Sequence, residues 1–370
     1  MNIYIIVSIF LFVLFLIEQG YKEEKSKDSL FYIGSFVVIS LLAFRGTNVG
    51  GDTQNYCGYF MGKGGMYGTY ENNDIFEIGF RIICSWLIFI SRTDFCFLFF
   101  TSLITMIPFI YLIKRDCSQS KILPLCIYFF TWGMLSITQT AIRQTCAVSF
   151  IMIAYIIFTS PIKKKSLKYA LSISLLFCAI FTHTSCLLSS PMLLCTLFLV
   201  KLTKKIALSV VVGSLIFTLV ASNFFQMAFD MLNYLLLDVE MAGRILNYYD
   251  NEQYALTGEI SFNRLGPATL LVSIYIMMSK EKDLCNDYLK MLVVGSTLYN
   301  IGASFPMIPR SVFPLLFMGS IFVPSGLREK RNIILYQILL LLLLFFIRNI
   351  ILYIIPTGDS HMLPYNFIWE

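Results

Sequence analysis

Apolar runs of about membrane length recur along this chain from end to end. They fall at roughly 2–18, 29–44, 75–91, 95–113, 122–138, 141–159, 167–181, 186–200, 205–221, 264–279, 288–303, 310–324 and 332–354. Short polar and charged clusters separate them, which is the pattern of helices crossing a bilayer one after another. The fold expected is an all-α polytopic transmembrane helical bundle of about 11–14 membrane helices, several of them under the usual ~20 residues. Only three stretches are too long for turns: 45–74, 222–263 and the tail from 355. None holds a soluble domain of any size, so the chain reads as a single integral membrane domain over 1–370. Its extramembrane segments 45–74 and 222–263 are expected to form an external cleft.

Composition agrees with the pattern. Hydrophobic residues fill 57% of 370 positions and mean hydropathy is +0.74, more than a soluble core needs. The 28 basic and 22 acidic residues give a net charge of +6. The basic ones gather between apolar runs, so the charge is a topology signal and not a nucleic-acid footprint. Met1 to Leu16 lacks a basic amino-terminal region and a small-residue cleavage site, and is expected to be a retained helix. The ten cysteines lie mostly within apolar runs, with no CxxC pair and no His/Cys ligand spacing. They read as small hydrophobes, and neither a metal nor a cofactor is implied.

Orientation follows from the lysine clusters. Lys163 to Lys165 with Lys168, Lys201 with Lys204 and Lys205, Lys280 with Lys282, and Arg328 to Arg331 should face the cytoplasm. Alternating outward places the His183 turn, the 222–263 segment, the Pro306 to Arg310 turn and the C-terminal tail together outside. Counting back through the same runs leaves 45–74 inside. Either a segment between 75 and 140 is re-entrant or miscounted, or that loop is cytoplasmic.

Five places carry candidate chemistry. Arg45 ends the second run and is followed by Gly46, Gly50, Gly51 and Asp52, a bend where backbone amides and a guanidinium fork suit a pyrophosphate. A snorkelling arginine, and an aspartate that only caps the next segment, explain the same residues. Arg143 sits within the apolar stretch Leu123 to Phe158 beside Thr138, Gln139 and Gln144. A charge at mid-helix costs about 2.5–3.5 kcal/mol, so Arg143 faces a polar cavity or lies at a surface turn. His183, in Thr182-His183-Thr184-Ser185, is either a proton acceptor or phosphate contact, or a turn histidine bonded to local backbone. Segment 222–263 brings Arg244, Tyr248 and Tyr249, with Asp238, Glu240, Asp250, Glu252 and Tyr254, into a composition that suits a glycan groove or an interfacial anchor. Arg264 and Arg310 begin runs on the outer side, against the inside bias of basic residues.

Taken in order, Arg45 with Val49-Gly50, Asp52-Thr53 and Tyr56, then Arg143-Gln144 and Ala147, His183-Thr184-Ser185, Arg310, and the closing Pro364-Tyr365 resemble the EpsG-type branch of the Wzy-like exopolysaccharide and O-antigen repeat-unit polymerases. The resemblance covers nearly the whole chain in segment order. The additional Gly51 before Asp52 departs from the commoner Val-Gly-Thr-Asp order.

The resemblance implies a glycosyltransferase in the bacterial cytoplasmic membrane. It would polymerise undecaprenyl-pyrophosphate-linked oligosaccharide repeats by inverting transfer, without nucleotide sugar or obligatory metal. Its surroundings would include membrane lipid, a flippase and a chain-length regulator. Arg143 and Arg310 would hold the leaving pyrophosphate, with Arg45 and Arg244 as further donors. His183, and after it Asp52, would accept or position the acceptor hydroxyl's proton. Tyr248, Tyr249 and Tyr365 would contact sugar. A flippase for the same lipid-linked sugar, or a ligase that moves finished glycan to another carrier, would use similar arginines. A flippase should show corresponding broken helices in two halves, and no such internal repeat is visible.

Overall fold

The computed structural model describes residues 3–21, 23–63, 75–117, 119–198, 202–236, 262–278, 286–302, 307–326, 337–345, 347 and 365–369. The chain divides into two compact units, Met1–Cys186 with Pro324–Glu370, and Leu187–Val323. Among the described residues the regular structure is helical, apart from an isolated antiparallel bridge between Arg45 and Phe367.

The first unit contains α1 (Ile3–Gly20), α2 (Glu24–Ala43), α3 (Thr53–Met61), α4 (Ile78–Ile90), α5 (Asp94–Asp116), α6 (Ile122–Phe130), α7 (Trp132–Thr140), α8 (Ile142–Thr159) and α9 (Lys165–Thr182). Helices α1, α2, α5, α8 and α9 are long and apolar enough to cross a membrane, and α6 with α7 makes one further passage bent by 70°. Local signals set several helix ends. The Thr93 hydroxyl accepts from the Cys96 N–H at 3.2 Å to start α5, Asp94 lies in its first turn, and Lys114 and Arg115 lie in its last, each charge matching the helix dipole. Glu18, at the end of α1, takes the N–H of Lys121 at 2.7 Å and the Ser120 hydroxyl, so a carboxylate satisfies the start of α6.

Side-chain pairs locate the two ends of this unit. At one end Lys27 reaches the Gln119 carbonyl at 3.1 Å, Lys121 pairs with Glu24 and Asp28, and Arg115 bonds Thr159 at 2.9 Å. At the other, Phe44 stacks on Phe95 at 5.5 Å, and the Tyr4 hydroxyl donates to Gln139 at 3.2 Å. The first end gathers Lys25, Lys27, Lys114, Arg115, Lys121, Lys163 to Lys165 and Lys168.

Helix α4 corrects the sequence reading. Residues 75–91 were expected to form a span, yet α4 has 13 residues, roughly 20 Å of helix against a hydrocarbon core of about 30 Å. Both its ends lie at the Phe44 end of the unit. Glu77, just before it, bonds Thr184 at 3.0 Å, while just beyond it Arg92 donates to the Phe60 carbonyl at 3.3 Å and Asp94 pairs with Lys63 at 3.8 Å. Without that crossing, 45–63 falls at the same end as the His183 turn. The parity conflict of the sequence reading disappears, and its source lies between residues 75 and 140.

The second unit runs through α10 (Cys186–Phe198), α11 (Lys204–Leu236), α12 (Phe262–Met278), α13 (Asp287–Ile301) and α14 (Met307–Gly326). Helix α11 continues to Leu236, so the segment expected at 222–263 begins as helix. Asn300 is fully buried. Its side chain bonds Ser214 at 3.0 Å and Thr269 at 3.0 Å, and its carbonyl receives Thr218 at 3.0 Å, which joins α11, α12 and α13 by a satisfied polar network.

Single-cysteine labelling with an impermeant maleimide tests the placement of α4. Ser91→Cys and Thr184→Cys are expected to react from one side of the membrane and Lys164→Cys from the other. If α4 crossed, Ser91→Cys would react from the Lys164 side.

Candidate active site

The loop after α2 folds back onto the junction of α7 and α8. Arg45 is 1% exposed, and its Nη1 donates to the Leu42 carbonyl at 2.5 Å and its Nη2 to the Gln139 carbonyl at 3.4 Å. Those carbonyls belong to the last turns of α2 and α7, where a cation is favoured. Burial pushes the guanidinium below its usual range. The Thr53 hydroxyl donates to Val49 at 2.9 Å and to the same Gln139 carbonyl at 2.7 Å. Gly50 has φ +99°, and a Cβ there would lie 2.4 Å from the Gln139 oxygen, so both conformation and space require glycine.

The C-terminal residues close this loop. Gly46 donates to the Asn366 carbonyl at 2.6 Å and Ile368 to Phe44 at 2.9 Å. The Tyr365 hydroxyl donates to the Leu41 carbonyl at 2.7 Å, with its ring edge-on to Tyr4. Thus Arg45 and Tyr365 direct their donors at backbone carbonyls. Asp52 occupies the N-cap position of α3 but its side chain makes no cap hydrogen bond. One turn on, Tyr56 is buried beside Arg143, and burial pushes its hydroxyl up to about 12, so it stays protonated.

Arg143 is the second residue of α8, immediately after the break at Ala141. The surface-turn explanation and the polar-pocket explanation both describe it: it lies at a helix start, and its side chain is only 18% exposed. Its guanidinium pairs with Glu77 and lies over the Phe76 ring at 4.7 Å. The other Glu77 oxygen accepts the Thr184 N–H at 3.0 Å and the Thr184 hydroxyl at 3.2 Å. A Cβ on Gly79 would sit 2.7 Å from the Phe181 carbonyl, so glycine lets α4 approach the end of α9. Burial alone would raise the Glu77 carboxyl, but Arg143 and the Thr184 N–H hold it below the usual carboxylate range. His183 ends α9, and its Nδ1 accepts the Ser185 N–H at 3.1 Å, which puts the proton of the neutral ring on Nε2.

One end of the first unit thereby assembles Tyr56, Phe76, Glu77, Arg143, His183 and Thr184, with Asp52 close to Tyr56. Arg310 is exposed at the start of α14 in the second unit. Arg244, Tyr248 and Tyr249 lie outside the described residues. Sequence reasoning passed over Glu77, because an acid just before an apolar helix looks like an ordinary helix start. The structure shows that it does not cap α4.

A family model described as EpsG family matches residues 28–367. No curated protein and no solved structure matches the chain.

The pair has a pH signature. Because Glu77 is held below its ordinary value of 4.5, its stabilising contribution is complete above that value and is lost as pH falls through the lower folded one. In detergent, wild type is expected to lose thermal stability across that acid window relative to Glu77→Gln. At neutral pH, Arg143→Ala leaves a mostly buried carboxylate unpaired and is expected to cost roughly 2–4 kcal/mol. A wild-type to Glu77→Gln difference that does not change with pH would show that the pair contributes nothing.

Proposed function

The chain belongs to the EpsG family, and from that premise we propose that this multi-pass membrane protein polymerises undecaprenyl-pyrophosphate-linked oligosaccharide repeats into an exported polysaccharide. The observation that carries the reading is Arg143 itself. It is a mostly buried cation at a helix start, flanked by a backbone N–H, a hydroxyl and an imidazole, at one end of an apolar bundle. A lipid-borne pyrophosphate arriving through the bilayer needs such donors already in place, since they stabilise negative charge as it develops on the leaving group.

Orientation supports the same reading. The lysine-rich end faces the cytoplasm under the positive-inside rule, so the Arg143 end faces outward in a bacterial cytoplasmic membrane. In the proposed reaction the growing chain is the donor and a single lipid-linked repeat the acceptor. The acceptor hydroxyl gives its proton to a base of the site as its oxygen attacks the anomeric carbon with inversion, and the bond to pyrophosphate breaks. Arg143 takes the leaving charge, and His183, a donor through Nε2, supports it. Arg310, Arg244, Tyr248 and Tyr249 remain proposed substrate contacts, and Asp52 a proposed contact to the acceptor. Arg45 and Tyr365 act in this scheme by fixing the loop that borders the site.

Proteoliposomes carrying the native lipid-linked repeat test this. Wild type is expected to give a glycan ladder, Arg143→Ala to slow it by at least about a hundredfold, and Arg143→Lys, which keeps charge without the planar fork, to fall between. Movement of the repeat across the bilayer with no wild-type ladder would favour a flippase.

A further inference from the structure

Glu77 stands at the N-cap position of α4, with φ −58° and ψ 146°, yet makes no side-chain cap bond. It reaches instead to the start of α8 and the end of α9, and its two oxygens have different duties. One is anchored by the N–H and hydroxyl of Thr184 at 3.0 and 3.2 Å, and the other pairs with Arg143. Arg143 has fixed neighbours in the Phe76 ring and in Tyr56, so Glu77 is its anionic partner among the described residues. The two side chains are 17% and 18% exposed, enough to be reached and little enough for the charges to matter. A carboxylate thus occupies the place where a phosphate oxygen would meet the guanidinium.

We propose that Glu77 is a displaceable carboxylate: the donor's pyrophosphate takes Arg143 from it, and the released oxygen then accepts the proton of the acceptor hydroxyl. The proposal rests on the polymerase reading for its second half. The step balances within the site. The acceptor oxygen forms its bond to the anomeric carbon, and the carbon–oxygen bond to pyrophosphate breaks. The electron pair stays on the departing pyrophosphate oxygen, whose charge Arg143 stabilises, and the hydroxyl proton passes to Glu77.

The exchange couples donor binding to base strength. While paired, Glu77 is held below the usual carboxylate range and is a weak base. Removing Arg143 from it takes away the largest downward influence and leaves burial, which acts upward. His183 is the poorer candidate for this role than the sequence suggested. Its unprotonated Nδ1 already receives the Ser185 N–H, so the ring faces other groups as a donor.

Glu77→Gln tests both halves in the full-length protein, since glutamine keeps an acceptor for Thr184 but neither competes as an anion nor accepts a proton. In detergent, inorganic pyrophosphate is expected to bind Glu77→Gln about tenfold more tightly than wild type, the equivalent of one weakened charge-assisted bond. In proteoliposomes the same variant is expected to extend glycan at least about a hundredfold more slowly. Glu77→Asp, with the charge on a shorter arm, should bind pyrophosphate more tightly than wild type and retain intermediate turnover. This provides a second measurement if the glutamine variant unfolds. Unchanged or weaker pyrophosphate binding in the folded variants would overturn the displacement. Tighter binding with an unchanged ladder would overturn the proton transfer. A wild type that makes no ladder would count against the polymerase reading and with it the proton transfer, while the pyrophosphate comparison would still decide the displacement.

Discussion

The backbone carbonyl of Gln139 is the point on which the first unit turns. It closes α7 inside an apolar bundle, where an unsatisfied helix end costs several kcal/mol, and it is satisfied from another part of the chain. The Thr53 hydroxyl and the Arg45 guanidinium both donate to it, and Gly50 makes room for that approach. A break between α7 and α8 is therefore tolerated because the loop after α2 covers it. The C-terminal residues then hold that loop through Gly46, Phe44 and Leu41. Residues more than three hundred positions apart thereby meet at one helix end, as Tyr365 and Leu41 do with a separation of 324.

The break also explains why Arg143 lies where it does. Ala141 carries φ −98° and ψ 58°, outside the helical region, and α8 restarts at Ile142. That puts a guanidinium in the first turn of a helix, where the dipole disfavours a cation. Glu77 offsets the mismatch in the resting protein. An anion from outside would do the same. The short α4 serves two purposes. By staying at one end of the unit it carries Glu77 to Arg143, and it leaves the 45–63 loop on the same side as the His183 turn.

Much of this was legible in the residues. Apolar periodicity gives the helical class and, among the described residues, five helices long enough to cross a membrane, and the insertion cost of Arg143 marks it as unusual without any structure. The hidden parts depend on distant pairings. Glu77 meets Arg143 across 66 residues and Thr184 across 107, and nothing local separates it from an acid that merely starts a helix. Run 75–91 is apolar enough for a span, and only the contacts at its two ends show that α4 does not cross. At Arg45 the local sequence is the same for a buried guanidinium that serves two helix ends, as it does here, and for one that meets a phosphate.

The most direct measurement is an electron cryomicroscopy structure of the full chain with undecaprenyl pyrophosphate bound. A site built on Arg143 predicts pyrophosphate density within hydrogen-bond distance of its guanidinium, with the Glu77 carboxylate turned away and Arg45 still on the Gln139 carbonyl. Pyrophosphate bound elsewhere, with the pairing of Glu77 and Arg143 intact, would contradict it.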